Sequence, residues 1–115
     1  VKPPSKEEDL HNLVYMFLSL QGFKVNYTGG RAAPDFVVSS ARSKTEIPIE
    51  VKLASTSSAV ENGVKQLFEY MKGTKWKEGI LLVLDTSKRK VAKSKAEEIG
   101  EVSKYGRKIV CIGLG

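Results

Sequence analysis

Two stretches of the chain carry apolar residues at helical spacing. The first set is Leu10, Leu13, Val14, Phe17 and Leu18, and the second is Val60, Val64, Leu67, Phe68 and Met71. This 3.6-residue period predicts two amphipathic helices. Capping boxes formed by Ser5 with Glu8 and by Ser58 with Glu61 mark the expected starts of the two helices. A glycine follows the last apolar residue of each stretch, at positions 22 and 73, and predicts where each helix ends.

Apolar residues that alternate or run without interruption predict the strands. These cover residues 23–28, 35–40, 46–54, 79–85 and 108–114, and a lysine-rich helix is predicted from about 88 to 99. The run from Ile80 to Leu84 is entirely apolar, so its strand is expected to be buried on both faces. The order α-β-β-β-α-β-α-β indicates an α/β fold in which helices flank a mixed sheet.

Composition narrows the class of protein. A chain of 115 residues, 41% hydrophobic and 28% charged, predicts one domain over residues 1–115, and its start at Val1 leaves open that this domain is excised from a longer protein. The apolar runs are too short to span a bilayer, and a single cysteine suits a reducing interior. We therefore expect a cytoplasmic protein without a membrane partner. The formal net charge of +6 favours nucleic acid as the partner.

The hairpin after the first strand brings two acidic residues together. If "ARSK" at 41–44 forms a four-residue loop, Asp35 falls directly opposite Glu50. Cross-strand side chains lie roughly 4.5–5.5 Å apart and like charges so placed repel, so the pair needs a shared proton or a divalent cation. Lys52, on the same face, would lie beside that cation. An isolated Glu-x-Lys is usually an exposed ion pair, but the Pro-Asp upstream and the apolar strand around it favour a site.

The residues "PD" at 34–35 and "EVK" at 50–52 resemble the PD-(D/E)xK motif of the restriction-endonuclease-like nuclease superfamily. The predicted element order is similar to that superfamily's α-β-β-β-α-β core, with an added α-β. The resemblance implies that Asp35, Glu50 and the backbone carbonyl of Val51 bind Mg²⁺, for which Mn²⁺ would substitute. It implies that Lys52 orients the attacking water or helps to deprotonate it. The implied activity is hydrolysis of DNA phosphodiester bonds by an endonuclease of repair, recombination or restriction, with junctions or flaps as candidate substrates.

The superfamily usually adds an acidic residue from the first helix. With Leu10 at 0° on a helical wheel, Glu7 lies at about 60°, on the apolar side, whereas Glu8 and Asp9 lie off that side. His11 lies at about 100°, on the same flank as Glu7. RecB-type members of the superfamily use a histidine from this helix as a metal ligand. Two candidates for the residue that completes the site therefore stay open: Glu7, as a further catalytic residue, and His11, as a metal ligand.

Three branches of the superfamily share features with the chain. RecB-type nucleases carry a Q-x-x-x-Y motif after the lysine, and "QLFEY" puts Gln66 and Tyr70 on one flank of the second helix. Holliday-junction resolvases have a glutamate about where His11 stands. Small viral-type replication-repair nucleases are similar in length and in "GGRAAPD…IEVK". The choice between these branches stays open.

The expected DNA contacts are basic and polar side chains around this site. They are Arg31, Lys65, Gln66, Tyr70, Lys72 and Lys88. A two-fold homodimer would suit a symmetric junction, and that assembly stays open. Two other functions also stay open: a nucleic-acid-binding module that keeps the fold without catalysis, and an RNA-directed nuclease.

Overall fold

The computed structural model describes residues 6–28, 33–40 and 42–115. The elements along these residues are α1 (Glu7–Leu20), β1 (Lys24–Tyr27), β2 (Phe36–Ser39), β3 (Glu46–Leu53), α2 (Ser57–Met71), β4 (Glu78–Leu84), α3 (Val91–Ile99), β5 (Glu101–Lys104) and β6 (Arg107–Leu114). The strands form one six-stranded mixed sheet in the order β1-β2-β3-β4-β6-β5. The predicted α/β class, with a mixed sheet flanked by helices, is confirmed.

Parallel and antiparallel pairs divide the sheet. Strands β1, β2 and β3 form an antiparallel meander, β3, β4 and β6 run parallel, and β5 returns antiparallel to β6. Strand β5 was not among the predicted strands, because Val102 is its single apolar residue. It forms because Tyr105 and Gly106, with φ of 55° and 73°, make a tight turn that folds β5 back onto β6.

A core lies on each face of the sheet. On one face α2 and α3 pack on β4 and β6, with Leu67, Leu81 and Ile109 fully buried. On the other face α1 packs on the β1–β2–β3 part of the sheet, where Phe36 and Val51 are buried. Fully burying a side chain of this size contributes about 1.5–3 kcal/mol. No helix in the described ranges is long and apolar enough to cross a membrane.

Strand β4 differs from its prediction, because it is fully buried on one face only. Leu81 and Val83 are inaccessible to solvent, whereas Leu82 and its neighbours on the α1 side are half-buried. Helix α1 packs on β1 and β3, and this leaves β4 and β6 open beside it. The result is an apolar groove of about 430 Å³, lined on α1 by Leu13 and Phe17 among others. The uninterrupted apolar run of β4 therefore supplies a buried face on the α2 side and a wall of the open groove on the α1 side.

The cap predicted for α2 is wrong by two residues. The helix begins after Thr56, whose Oγ1 accepts a hydrogen bond of 3.2 Å from the amide of Ala59. Ser58 therefore lies inside the first turn. Glu61, its predicted capping partner, instead forms an ion pair with Lys95 of α3, at 3.3 Å. The helix starts earlier than predicted because the connection from β3, which ends at Leu53, to α2, which begins at Ser57, is only three residues long.

The ends of both helices follow the glycine signals, but the start of α1 does not follow its predicted cap. Ser5 lies outside the described residues, and the N-cap of α1 is Lys6, without a side-chain capping bond. Gly22 and Gly73 have φ of +88° and +72°. Such left-handed backbone favours glycine, and it ends each helix as predicted.

Candidate active site

The hairpin of β2 and β3 has the predicted register. Phe36 pairs with Ile49 and Ser39 with Glu46, which is the register that a four-residue loop requires. Asp35 immediately precedes β2, and the same register brings it beside Glu50. The backbone amide of Asp35 donates a hydrogen bond of 3.1 Å to Oε1 of Glu50. Counting residues around the loop therefore located the two carboxylates correctly.

Asp35 is fixed through its backbone and through its side chain. Its carbonyl accepts a hydrogen bond from the amide of Thr28, which ties it to β1. Its Oδ2 accepts a hydrogen bond of 2.8 Å from the amide of Val51. Because Val51 follows Glu50 directly, each acid is bonded to the backbone beside the other. This arrangement holds two like charges together at the place where β2 and β3 meet.

Glu50 is the most buried residue of the predicted catalytic set, with 5% of its surface exposed. It lies on the face of the sheet that α2 covers. Burial raises its pKa from 4.5 to about 8, and the negative charge of Asp35 adds to the increase. The positive charge of Lys52 acts in the opposite direction but does not cancel the effect. The site therefore favours a proton or a cation at Glu50.

Helix α2 closes the site on the Lys52 side. Gly63 faces Leu81 and Lys52, and a β-carbon at Gly63 would lie 3.5 Å from Cγ of Lys52. The missing side chain lets the lysine stem lie between the strand and the helix. Tyr70 lies further along α2, and its pKa is raised by burial and then by the negative charges of Glu50 and Asp35. Gly63 therefore lies beside Lys52, and Tyr70 responds to the charges of the two carboxylates.

Helix α1 brings both of its competing candidates to the site. Nε2 of His11 lies 3.2 Å from Oδ2 of Asp35. This contact does not have hydrogen-bond geometry, so Nε2 is buried without a hydrogen-bond partner among the described residues. Glu7 is exposed, and its Oε1 accepts a hydrogen bond of 3.4 Å from the amide of Leu53. His11 thus lies against a predicted metal ligand, whereas Glu7 lies at the edge, one residue beyond Lys52.

The side chains do not form a complete ligand cage. Within residues 6–28, 33–40 and 42–115, no group of three or more His, Cys, Asp and Glu side chains is arranged to hold a metal ion. Oδ2 of Asp35 and Oε1 of Glu50 each accept a backbone hydrogen bond. A cation here would have to share or replace those bonds.

The other predicted contacts are spread more widely. Arg31 lies outside the described residues. Lys65, Gln66 and Lys88 are exposed, the first two on α2 and the third between β4 and α3. Lys72, also exposed, forms an ion pair with Glu69 at 2.9 Å. Tyr70 alone among these has a described electrostatic link to the carboxylates.

An aromatic cluster beside Asp35 was not predicted. The ring of Tyr27 lies 5.8 Å from that of His11 and 5.4 Å from that of Phe36, and Tyr15 lies 6.4 Å from Phe36. These rings come from α1, β1 and β2, and no spacing along the chain connects them. The only sequence signal was the position of Tyr15 four residues after His11, one helical turn along α1.

Comparison with known proteins places the chain in a family. It belongs to the family described as a domain of unknown function, DUF8371, whose sequence profile matches residues 1–88. The matched residues include Asp35, Glu50 and Lys52, together with α1 and α2. Neither a curated protein nor a solved structure matches the chain.

Proposed function

We propose that this protein is a metal-dependent nuclease that hydrolyses phosphodiester bonds of DNA. The observation that carries the proposal is the pairing of Asp35 with a buried Glu50, next to Lys52 on the same strand. Two acids held together in a partly buried site need a positive charge. In a nuclease of the PD-(D/E)xK type, a divalent metal ion bound by the two acids would supply this positive charge.

The proposal extends to the fold. The elements from α1 to β4 follow the order of the restriction-endonuclease-like core, and α3, β5 and β6 would be additions to it. Asp35 immediately before β2, and Glu50 and Lys52 in β3, follow the motif positions of that superfamily, and this correspondence supports the proposal.

Two features of the site suit a divalent cation. Nε2 of His11 is buried without a hydrogen-bond partner among the described residues, and it faces Oδ2 of Asp35 at 3.2 Å. Neighbouring ligands of an octahedral ion, each about 2.1 Å from the ion, lie about 3 Å apart. The raised pKa of Glu50, which follows from burial and from Asp35, is the second feature. Asp35, Glu50, His11 and the carbonyl of Val51 would hold the ion.

The residues of the proposed site would have different roles in the reaction. A bound divalent cation supplies positive charge at the scissile phosphate and acidifies a nearby water. Asp35 and Glu50 fix the position of that charge, since backbone hydrogen bonds orient both carboxylates. Lys52, half-buried beside α2, would orient the attacking water and place its ammonium where negative charge develops. Glu7, at the open edge, is available as a further acidic group.

DNA is the proposed partner. With a formal net charge of +6, the protein attracts polyanions. Tyr70 of α2 is linked electrostatically to the two carboxylates, and Gln66 and Lys65 are exposed on the same helix. Lys72 and Lys88 would contribute to long-range attraction more than to contacts at the scissile bond.

A homodimer through the apolar groove is part of the proposal. Leu13, Phe17 and Leu20 of α1 are 44%, 63% and 81% exposed, and Ile112 and Leu114 of β6 are 38% and 42% exposed. Four of these side chains, all but Leu20, line the groove, and a stable interface buries about 800 Å² per partner. The groove is lined by apolar residues throughout. A two-fold dimer would bring the same patch of both copies together and remove these apolar side chains from water.

A substrate panel tests the function. Purified protein is incubated with single-stranded, duplex, flap and four-way-junction DNA, and with RNA, each with and without Mg²⁺ or Mn²⁺. We expect metal-dependent cleavage of DNA that Glu50→Ala abolishes. Glu97→Ala, at an exposed position of α3, is the matched control and should cleave like the wild type.

Each other outcome has a defined meaning. Salt-dependent DNA binding without cleavage in either metal would contradict the enzyme and favour a binding module. Cleavage of RNA alone would contradict the proposed substrate. Equal cleavage by wild-type protein and Glu50→Ala would contradict the proposed site.

A further inference from the structure

A small pocket shares a wall with the proposed catalytic site. It has a volume of about 240 Å³ and is lined by His11, Asn12, Tyr15, Tyr27 and Phe36. His11 belongs to both places, because its Nε2 lies against Oδ2 of Asp35. Whatever occupies this pocket is therefore next to the bond that the site would cut.

The lining of the pocket combines aromatic faces with an amide. Phe36 forms a fully buried floor, whereas Tyr15 and Tyr27 are 43% and 49% exposed. Asn12, also exposed, adds a hydrogen-bond donor and an acceptor at the rim. The pocket thus offers flat apolar surfaces with a polar edge.

That combination fits a nucleobase. Bases stack on aromatic side chains with any sequence, and their edges bond to amides. Inside a duplex the base faces are covered by neighbouring base pairs, so only an unpaired or extruded base can offer its face. With about 240 Å³, the pocket has room for a single base.

We propose that this pocket binds one unpaired nucleobase next to the scissile phosphate, which directs the enzyme to DNA with a single-stranded or distorted segment. The proposal rests on the proposed nuclease function and adds the substrate class to it. Tyr15 and Tyr27 would bind the base, and neither is assigned to the catalytic step. His11 would link the base position to the metal position.

A matched pair of DNA duplexes tests the pocket. Each carries one extrahelical nucleotide, with a thymine base in one duplex and an abasic analogue in the other. Affinity is measured by fluorescence anisotropy in Ca²⁺, and cleavage is then measured in Mg²⁺. Loss of one stacked base should weaken binding by roughly 5- to 150-fold. Wild-type protein should therefore prefer the duplex with the base.

Substitutions at Tyr15 test whether the pocket is the source of the preference for the duplex with the base. Tyr15→Ala should lose the preference for the base, and Tyr15→Phe, which keeps the ring, should retain it. Tyr105→Asn is the control, because Tyr105 is 80% exposed in the β5–β6 turn and its φ of 55° is tolerated by asparagine. Equal affinity of the wild type for both duplexes, or a preference that survives in Tyr15→Ala, overturns the proposal.

The same measurements separate the two proposals. Metal-dependent cleavage without any base preference would support the proposed nuclease function and contradict only the proposal that the pocket binds a base. A base preference without cleavage in any metal would contradict the nuclease and support the pocket as a binding site. Absence of DNA binding would contradict both.

Discussion

The backbone amide of Asp35 donates a hydrogen bond of 3.1 Å to Oε1 of Glu50, and the amide of Val51 donates one of 2.8 Å to Oδ2 of Asp35. These reciprocal bonds hold the two carboxylates together although their charges repel. Burial, and then the negative charge of Asp35, raises the pKa of Glu50 to about 8, so a proton on Glu50 relieves the repulsion below that pH. A fold that keeps this pair carries a local destabilisation, as functional sites often do.

The raised pKa of Glu50 predicts that stability depends on pH. In the unfolded chain this carboxyl ionises near 4.5, whereas burial and Asp35 keep it protonated in the folded state up to about pH 8. The folded state therefore binds more protons, so the free energy of unfolding falls as pH rises between these values. In EDTA, wild-type protein should lose stability over this window relative to Glu50→Gln. Urea unfolding at a series of pH values measures the difference.

Glu50→Gln is a suitable reference because glutamine keeps an oxygen that accepts the amide of Asp35. A divalent cation, added to the wild type at pH 8, should restore part of the lost stability. Parallel pH curves for the two proteins would show that Glu50 ionises normally, and would remove the electrostatic argument for the site.

His11 is predicted to bind the metal. Its Nε2 is buried at 3.2 Å from Oδ2 of Asp35, so His11→Asn should raise the Mn²⁺ concentration for half-maximal cleavage at least about tenfold. Glu7→Gln should have a smaller effect, because Glu7 is exposed and contacts the amide of Leu53. Titration calorimetry with Mn²⁺ measures the affinity directly.

The control for this prediction is Glu8→Gln, on the same helix and exposed. It should titrate like the wild type. If His11→Asn also binds Mn²⁺ normally while Glu7→Gln does not, Glu7 and not His11 completes the site.

The apolar groove predicts concentration-dependent association. Phe17→Glu puts a charge on a residue that is 63% exposed in the groove. Sedimentation velocity should give a dimer for the wild type and a monomer for Phe17→Glu, and both proteins should have similar circular dichroism. A wild-type monomer at all concentrations up to about 100 μM would contradict the homodimer, since a stable interface of this size binds well below that concentration. A dimer that persists in Phe17→Glu would assign the interface to another surface.

Local rules predicted the part of the site that lies in one hairpin. The length of the loop at 41–44 fixes the register of β2 and β3. Because Phe36 pairs with Ile49, the next residues outward, Asp35 and Glu50, lie opposite each other. The helical wheel placed Glu7 nearer the sheet than Glu8, and Glu7 does contact the amide of Leu53, although both acids are exposed. Both inferences needed only periodicity and a count of residues.

Contacts between distant elements could not be predicted in this way. The rings of His11, Tyr27 and Phe36 meet because α1 crosses the β1–β2 pair, and nothing in the sequence fixes that crossing. The open face of β4 was missed for the same reason: an apolar run shows that a strand avoids water, but not which helix covers it. The tertiary position of α1 decides both features.

The central claim is that Asp35 is part of a metal-dependent catalytic site, and a cleavage rate tests it most directly. Single-turnover cleavage of the best DNA substrate in Mg²⁺ is compared for the wild type, Asp35→Asn and the control Asp9→Asn, whose acid is exposed on the same helix as His11. The account predicts that Asp35→Asn cleaves at least about 100-fold more slowly while its melting temperature is unchanged or higher, and that Asp9→Asn cleaves normally. Cleavage by Asp35→Asn at the wild-type rate would contradict it.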